Sequence, residues 1–269
     1  MPETLETSCI PILPKNPTWA YAGKPIAGFE ELLEKYKTRE FRSPVRSTVP
    51  FLEHWRCAAA RACELSQRTG FSLSDSIQLD FEHEVQVQRG KGRPSCTDLM
   101  LSSGEVSIAI EAKYTEPRYE RVDKWLDRAT SSNRAEVLDG WFDLLMRSTT
   151  AKLLADDFSD VPYQLVHRAA SACSTDAQEK WLVYQVFGDS KTWELYRAEL
   201  RKFAKLLGPD HSLMICLAAC SANPSAHQAK LKRRWERDKH SEEIRQSVID
   251  GLRSSRLYKP TLERVSFVT

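Results

Sequence analysis

The sequence predicts an α/β fold, a three-layer α/β/α sandwich around a central mixed sheet. Three observations predict it. Residues 77–88 (IQLDFEHEVQVQ) alternate apolar and polar with period two, the mark of a strand. Two more strand-like runs follow directly across turn residues, which makes an antiparallel meander. Beyond residue 133, apolar residues spaced three and four apart alternate with short apolar runs, so helices and strands alternate and helices cover both sheet faces. The chain has 269 residues, 41% of them apolar, enough for a real core. It reads as a single domain over 1–269. Residues 1–49 are an N-terminal arm and short helix, 50–190 the core, and 191–269 a C-terminal strand and helices.

Taken in order, residues 1–28 hold five prolines and read as an irregular arm. Phe29 to Tyr36 is a short helix. Lys37, Arg39, Arg42 and Arg46 form a basic stretch around Ser43-Pro44. Pro50 suits a first helical turn, and the spacing of Phe51, Leu52, Trp55, Ala59 and Ala62 predicts one helix to Gln67. The strand over 77–88 is followed by a basic turn (Arg89-Gly90-Lys91-Gly92-Arg93-Pro94), a strand over 97–101, the turn Ser103-Gly104 and a strand over 106–114. Helices are predicted over 133–155, from Pro162, over 191–207 and over 227–252. Strands are predicted over 181–187 and 212–218.

Composition excludes several classes. Lys and Arg total 39 against 37 Asp and Glu, a net charge of +2, too balanced for a non-specific DNA coat. Seven scattered cysteines without a CxxC pair read as reduced thiols in a cytoplasm. No run is long and apolar enough to span a bilayer, and the acidic N-terminus is not a secretory signal. A phosphate loop, a GxGxxG turn, HExxH and GxSxG are all missing, so no nucleotide cofactor is expected.

The chemistry concentrates between Glu84 and Lys113. Side chains alternate along a strand, so Glu111 and Lys113 share a face at the end of an otherwise apolar run. A hairpin centred near Lys91 places Glu84 opposite Asp98. Carboxylates brought together on a buried sheet repel, and a divalent cation removes the repulsion. Hard oxygen ligands of this kind suit Mg²⁺, with Mn²⁺ able to substitute. Arg89, Lys91 and Arg93 flank this region, and with Arg42 and Arg46 they are the candidate phosphate contacts. Gly90 and Gly92 would let the backbone approach a phosphate.

Asp98, twelve intervening residues, then Glu111-x-Lys113 across a strand–turn–strand resembles the PD-(D/E)XK nuclease superfamily, the restriction-endonuclease-like fold. The likeness covers roughly residues 50–190. It implies that Asp98, Glu111 and the Ala112 carbonyl hold the metal and that Lys113 handles the attacking water. The family's upstream acid is open among Glu53, Glu64, Glu82 and Glu84, with Glu84 the first choice. Gln164-x-x-x-Arg168 is similar to the Gln-xxx-Tyr helix of the RecB-like branch, with Arg168 where that pattern has tyrosine. Thr97, not proline, precedes Asp98, and Pro94 stands four residues before it. The resemblance implies an Mg²⁺-dependent nuclease that hydrolyses DNA phosphodiesters in restriction, phage defence or DNA processing. A homodimer is favoured if both strands are cut, since each chain carries one site. The alternatives are a non-catalytic module of the same fold and an interaction protein whose Asp98, Glu111 and Lys113 form a salt bridge.

Overall fold

A computed structural model describes residues 17–36, 38–239, 241–254 and 257–268, with backbone alone for Thr38 and Arg39. The proline-rich segment 1–16, with Cys9, and Lys37 lie outside the described residues.

Residues 17–28 are not an irregular arm. Thr18–Tyr21 (β1) and Lys24–Ile26 (β2) form a hairpin whose two central residues, Ala22 and Gly23, have φ of +48° and +75°. Positive φ at both positions is the geometry of the tightest hairpins. β1 then pairs in parallel with Gln78–Val85 (β3), and the Gly23 N–H donates to Asp80 Oδ1 at 3.0 Å. β3 continues into Ser95–Ser103 (β4) and Val106–Lys113 (β5), the predicted antiparallel meander. Glu179–Phe187 (β6) and Leu213–Pro224 (β7) add in parallel, and Tyr258–Phe267 (β8) closes the sheet antiparallel. The described residues thus form an α/β structure on a mixed eight-stranded sheet of order β2-β1-β3-β4-β5-β6-β7-β8. β8 has no sequence forecast. It is an edge strand carrying Lys259, Pro260, Glu263 and Arg264, and such residues blunt the apolar alternation that marks a strand.

The helices are Phe29–Lys35 (α1), Thr48–Trp55 (α2), Ala58–Thr69 (α3), Val122–Asp127 (α4), Asn133–Leu145 (α5), Tyr163–Cys173 (α6), Ser190–Leu206 (α7), Ala226–Arg237 (α8) and Glu242–Arg253 (α9). Three predicted helices are shorter or broken. The one over 50–67 divides at Cys57, whose φ of −99° and ψ of +59° are not helical. α2 is buried from Val49 through Trp55 whereas α3 buries one face, so one straight rod cannot serve both. α5 stops at Leu145 instead of 155, because the next residues turn to make tertiary bonds. The Ser148 carbonyl accepts the Ser212 N–H at 2.7 Å, and the Thr149 hydroxyl donates to the Leu207 carbonyl. The long C-terminal helix divides at extended Asp238, and α9 restarts with Glu242 and Glu243 in its first turn.

Each sheet face carries its own core. On β5, Val106, Ile108, Ile110 and Ala112 pack toward α1, α2, α3, α8 and α9, and Ala109 packs toward α5, α6 and α7. β3 does not keep one phase. Ile77, Leu79 and Phe81 belong to the first core but Val85 and Val87 to the second. The switch falls at Glu82, whose φ of +51° rotates the strand by more than simple alternation allows.

Candidate active site

Glu111 and Lys113 stand at the carboxyl end of β5, on the face covered by α6. Both are almost fully buried, with side chains 2% and 7% exposed. Lys113 Nζ donates to Glu111 Oε1 at 2.6 Å. Gln164 Nε2 donates to the same oxygen at 2.7 Å, and Arg168 Nε donates to Glu111 Oε2. Gln164 and Arg168 are one turn apart on α6, which is why both reach one carboxylate. Burial pushes Glu111 up, but Arg168 and Lys113 outweigh it and hold its carboxyl below the ordinary range. Burial alone would depress Lys113; Glu111 and Asp98 reverse that and keep it an ammonium ion.

Asp98 joins this group from β4. The register Leu99–Ile110 sets position 98 across from position 111. Its Oδ2 accepts the Ala112 N–H at 2.7 Å, so the side chain leans onto the backbone between Glu111 and Lys113. Burial, then the carboxylates of Glu111 and Glu82, raise the Asp98 pKa well above the usual carboxylate range. The charge of Asp98 is therefore disfavoured where it stands, the condition that a bound cation relieves.

These residues share a cavity of about 300 Å³. Tyr21 and Ala22 of the β1–β2 turn, Arg46 and Ser47 before α2, and Tyr119 form other parts of its wall. Arg46 pairs with Glu40 at 3.2 Å, and Lys113 Nζ lies 4.9 Å from the Tyr119 ring centre.

Glu84 needs a correction. The register pairs it with Cys96, and its side chain is exposed at the cavity rim. Position 82 falls across from Asp98 instead, since Phe81 pairs with Leu99 and His83 with Thr97. Glu82 is thus the β3 acid across from Asp98, and it lines the cavity with a left-handed backbone. The helix acids do other work. Glu53 is buried and accepts the Leu257 N–H at 3.0 Å, tying α2 to the start of β8. Glu64 pairs with Arg61 at 2.6 Å.

Of the basic candidates, Arg168 and Arg46 line the cavity and Arg42 does not. Arg89 is held by Asp143 at 2.5 Å. Lys91 and Arg93 border a separate groove beyond α6. Gly90 lets α5 pack closely on this turn: a Cβ there would lie 2.7 Å from Val137 Cγ2 and 2.9 Å from the Val137 nitrogen. Sequence reasoning missed Ser95 and His167, for which no motif gives a signal. Ser95 Oγ accepts from Arg168 Nη1 at 2.7 Å and lies 2.8 Å from His167 Nδ1. Burial and the nearby Arg168 push His167 well below its ordinary pKa, so its ring is neutral. Ser95 and Glu111 together fix both ends of the Arg168 guanidinium.

Among the described residues, no three His, Cys, Asp or Glu side chains are arranged as a metal cage. The donor set nonetheless fits a hard cation that takes one or two carboxylates and keeps its waters. Asp98 is a disfavoured carboxylate, and Glu111 has three donors on a group with about four acceptor sites.

By fold and site, this is an α/β protein with a carboxylate-lined cleft at the ends of its central strands. It belongs to the family described as Domain of unknown function (DUF6946), whose model matches residues 25–223. That span contains every residue lining the cavity except Tyr21 and Ala22. No curated protein and no solved structure matches the chain.

Proposed function

We propose that the chain is a metal-dependent nuclease of restriction-endonuclease-like fold that hydrolyses DNA phosphodiester bonds. One observation carries the reading: Asp98, Glu111 and Lys113 arrive from adjacent strands in one cavity, and Asp98 is held where its negative charge is disfavoured. The succession of meander, α6 and parallel β6 supports the fold assignment.

Asp98, Glu111 and the Ala112 carbonyl would hold Mg²⁺, with Mn²⁺ as a substitute. Bound there, the cation supplies Lewis acidity to a phosphoryl oxygen and lowers the pKa of a coordinated water. Lys113 remains charged and offsets negative charge that builds on the phosphate. Gln164 and Arg168 hold the Glu111 carboxylate in one orientation. In the reaction a water oxygen attacks phosphorus, the bond to the leaving sugar oxygen breaks, and that oxygen takes up a proton.

One observation favours a second reading, a nuclease-fold module that binds nucleic acid without cutting it. Both Glu111 oxygens are already engaged by Lys113, Gln164 and Arg168, as in a structural ion-pair network. Incubation with plasmid and Mn²⁺ or Mg²⁺ separates the two. Metal-dependent cleavage that is lost in Asp98→Ala and Lys113→Ala supports the enzyme. Cleavage unchanged by either substitution, or no cleavage by the native chain, removes it.

A further inference from the structure

We infer that the groove beyond α6 is a binding site for an unpaired strand of DNA, separate from the acidic cavity. The choice of ligand rests on the nuclease reading above; the groove itself rests on its own chemistry. It measures about 350 Å³ and is walled by the β3–β4 turn on one side and by α4, α5 and α6 on the other. Lys91, Arg93 and Arg134 line it, and among the described residues no Asp or Glu does. That is one-signed charge in a concave site, the form that attracts phosphates.

Part of its lining is a ready stacking column. Trp125 and Tyr163 lie face to face, with ring centres 3.8 Å apart and planes 10° apart. The Arg134 guanidinium lies 5.3 Å from the Trp125 ring centre, and its Nη1 is tied to the Trp125 carbonyl. A nucleobase laid on this planar guanidinium, or in its place on the indole, extends the column. Aromatic faces and guanidinium planes are what unstacked bases pack against. A duplex keeps its bases stacked on one another and has none to offer.

The basic turn is also held ready. Asn133 accepts the Lys91 N–H at 2.6 Å and donates to the Lys91 carbonyl at 2.8 Å. Gly90 sits directly on Val137. The turn is thus preorganised, and little ordering remains to oppose binding. The groove and the acidic cavity share the first turns of α6 as a wall. Tyr163 and His167 face the groove, and their neighbours Gln164 and Arg168 face Glu111. A single strand lying across α6 would touch both.

The test is fluorescence anisotropy of a labelled short oligothymidylate and of a hairpin duplex of equal length, both in EDTA so that no cleavage occurs. The expected result is tighter binding of the single strand, weakened about tenfold by Trp125→Ala or Arg134→Ala. Trp125→Phe should retain most of it. Arg93→Gln should weaken it and lower the salt dependence. Circular dichroism identifies any variant that fails to fold, and Trp125→Phe and Arg93→Gln then carry the test. Equal binding of both probes, or affinity unmoved by these substitutions, overturns the proposal. Single-strand binding that depends on Trp125 in a chain without metal-dependent cleavage supports the groove and removes the nuclease reading alone.

Discussion

Asp98 and Glu111 are both carboxylates in one cavity, yet their surroundings push them in opposite directions. Glu111 accepts from two cations and an amide that outweigh its burial, whereas Asp98 accepts one backbone N–H, and its burial and two acidic neighbours outweigh Arg168 and Lys113. Their substitutions should therefore diverge. Asp98→Asn keeps an oxygen for the Ala112 N–H and removes the repulsion. Its thermal stability should match or exceed the native chain by about 1 kcal/mol, while metal-dependent cleavage is lost. Arg168→Met instead strips Glu111 of its main partner inside a buried network and should cost about 3–5 kcal/mol in denaturant unfolding. Glu82 belongs at this scale too. Its left-handed backbone is strained for a residue with a Cβ, so Glu82→Gly should not lower the unfolding midpoint. Glu82→Val, β-branched at the same φ, should lower it clearly.

At the scale of elements, the meander and α6 build the acidic cavity, and the close seating of α5 on the β3–β4 turn builds the groove beside it. Gly140 makes that seating. A Cβ there would lie 2.5 Å from Val87 Cγ2 and 2.9 Å from the Arg89 nitrogen. The second atom is backbone and cannot rotate away. Gly140→Ala should cost about 1–3 kcal/mol in denaturant unfolding, and it should weaken oligothymidylate binding through the displaced turn. The β1–β2 hairpin has a similar positioning effect, since Tyr21 and Ala22 wall the cavity and the turn is anchored to Asp80.

Across the whole molecule, burial of neutral histidines makes stability depend on acid. Burial depresses His54 to about 3, and its Nδ1 has no hydrogen-bond partner among the described residues. His167 is likewise depressed by burial. Both are lower in the folded state than in the unfolded chain, so the unfolded chain binds more protons once the pH drops below about 6.5. Stability should then fall on acidification by about 1.4 kcal/mol per pH unit for each histidine. Asp98, raised in the fold, contributes with the opposite sign, so the histidine part is read as a difference: between pH 7 and 5 the urea midpoint of His54→Leu should fall less steeply than that of the native chain. No described helix is long and apolar enough to cross a membrane.

The meander, the shared face of Glu111 and Lys113 and the one-turn spacing of Gln164 and Arg168 were legible in the residues, because alternation, turn chemistry and helical spacing act over a few positions; that Gln164 and Arg168 reach the site of Glu111 was implied only by the family resemblance. Four features were not. Glu82 carries no mark of its backbone conformation, and the β3–β4 register, which differs from a hairpin centred near Lys91, sets position 82 rather than 84 across from Asp98. The N-terminal hairpin and β8 are strands only because a sheet edge offers them partners. The breaks at Cys57 and Asp238 arise where one helical rod cannot bury two differently aimed faces. The basic residues looked alike in sequence, and only the fold sorts them into Arg168 against Glu111, Arg89 against Asp143, and Lys91 and Arg93 beside the aromatic column. Local periodicity thus determined which segments are strands and helices and which residues share a face within one of them. Long-range packing decided what each of them faces, because burial and partner choice depend on segments far apart in the chain.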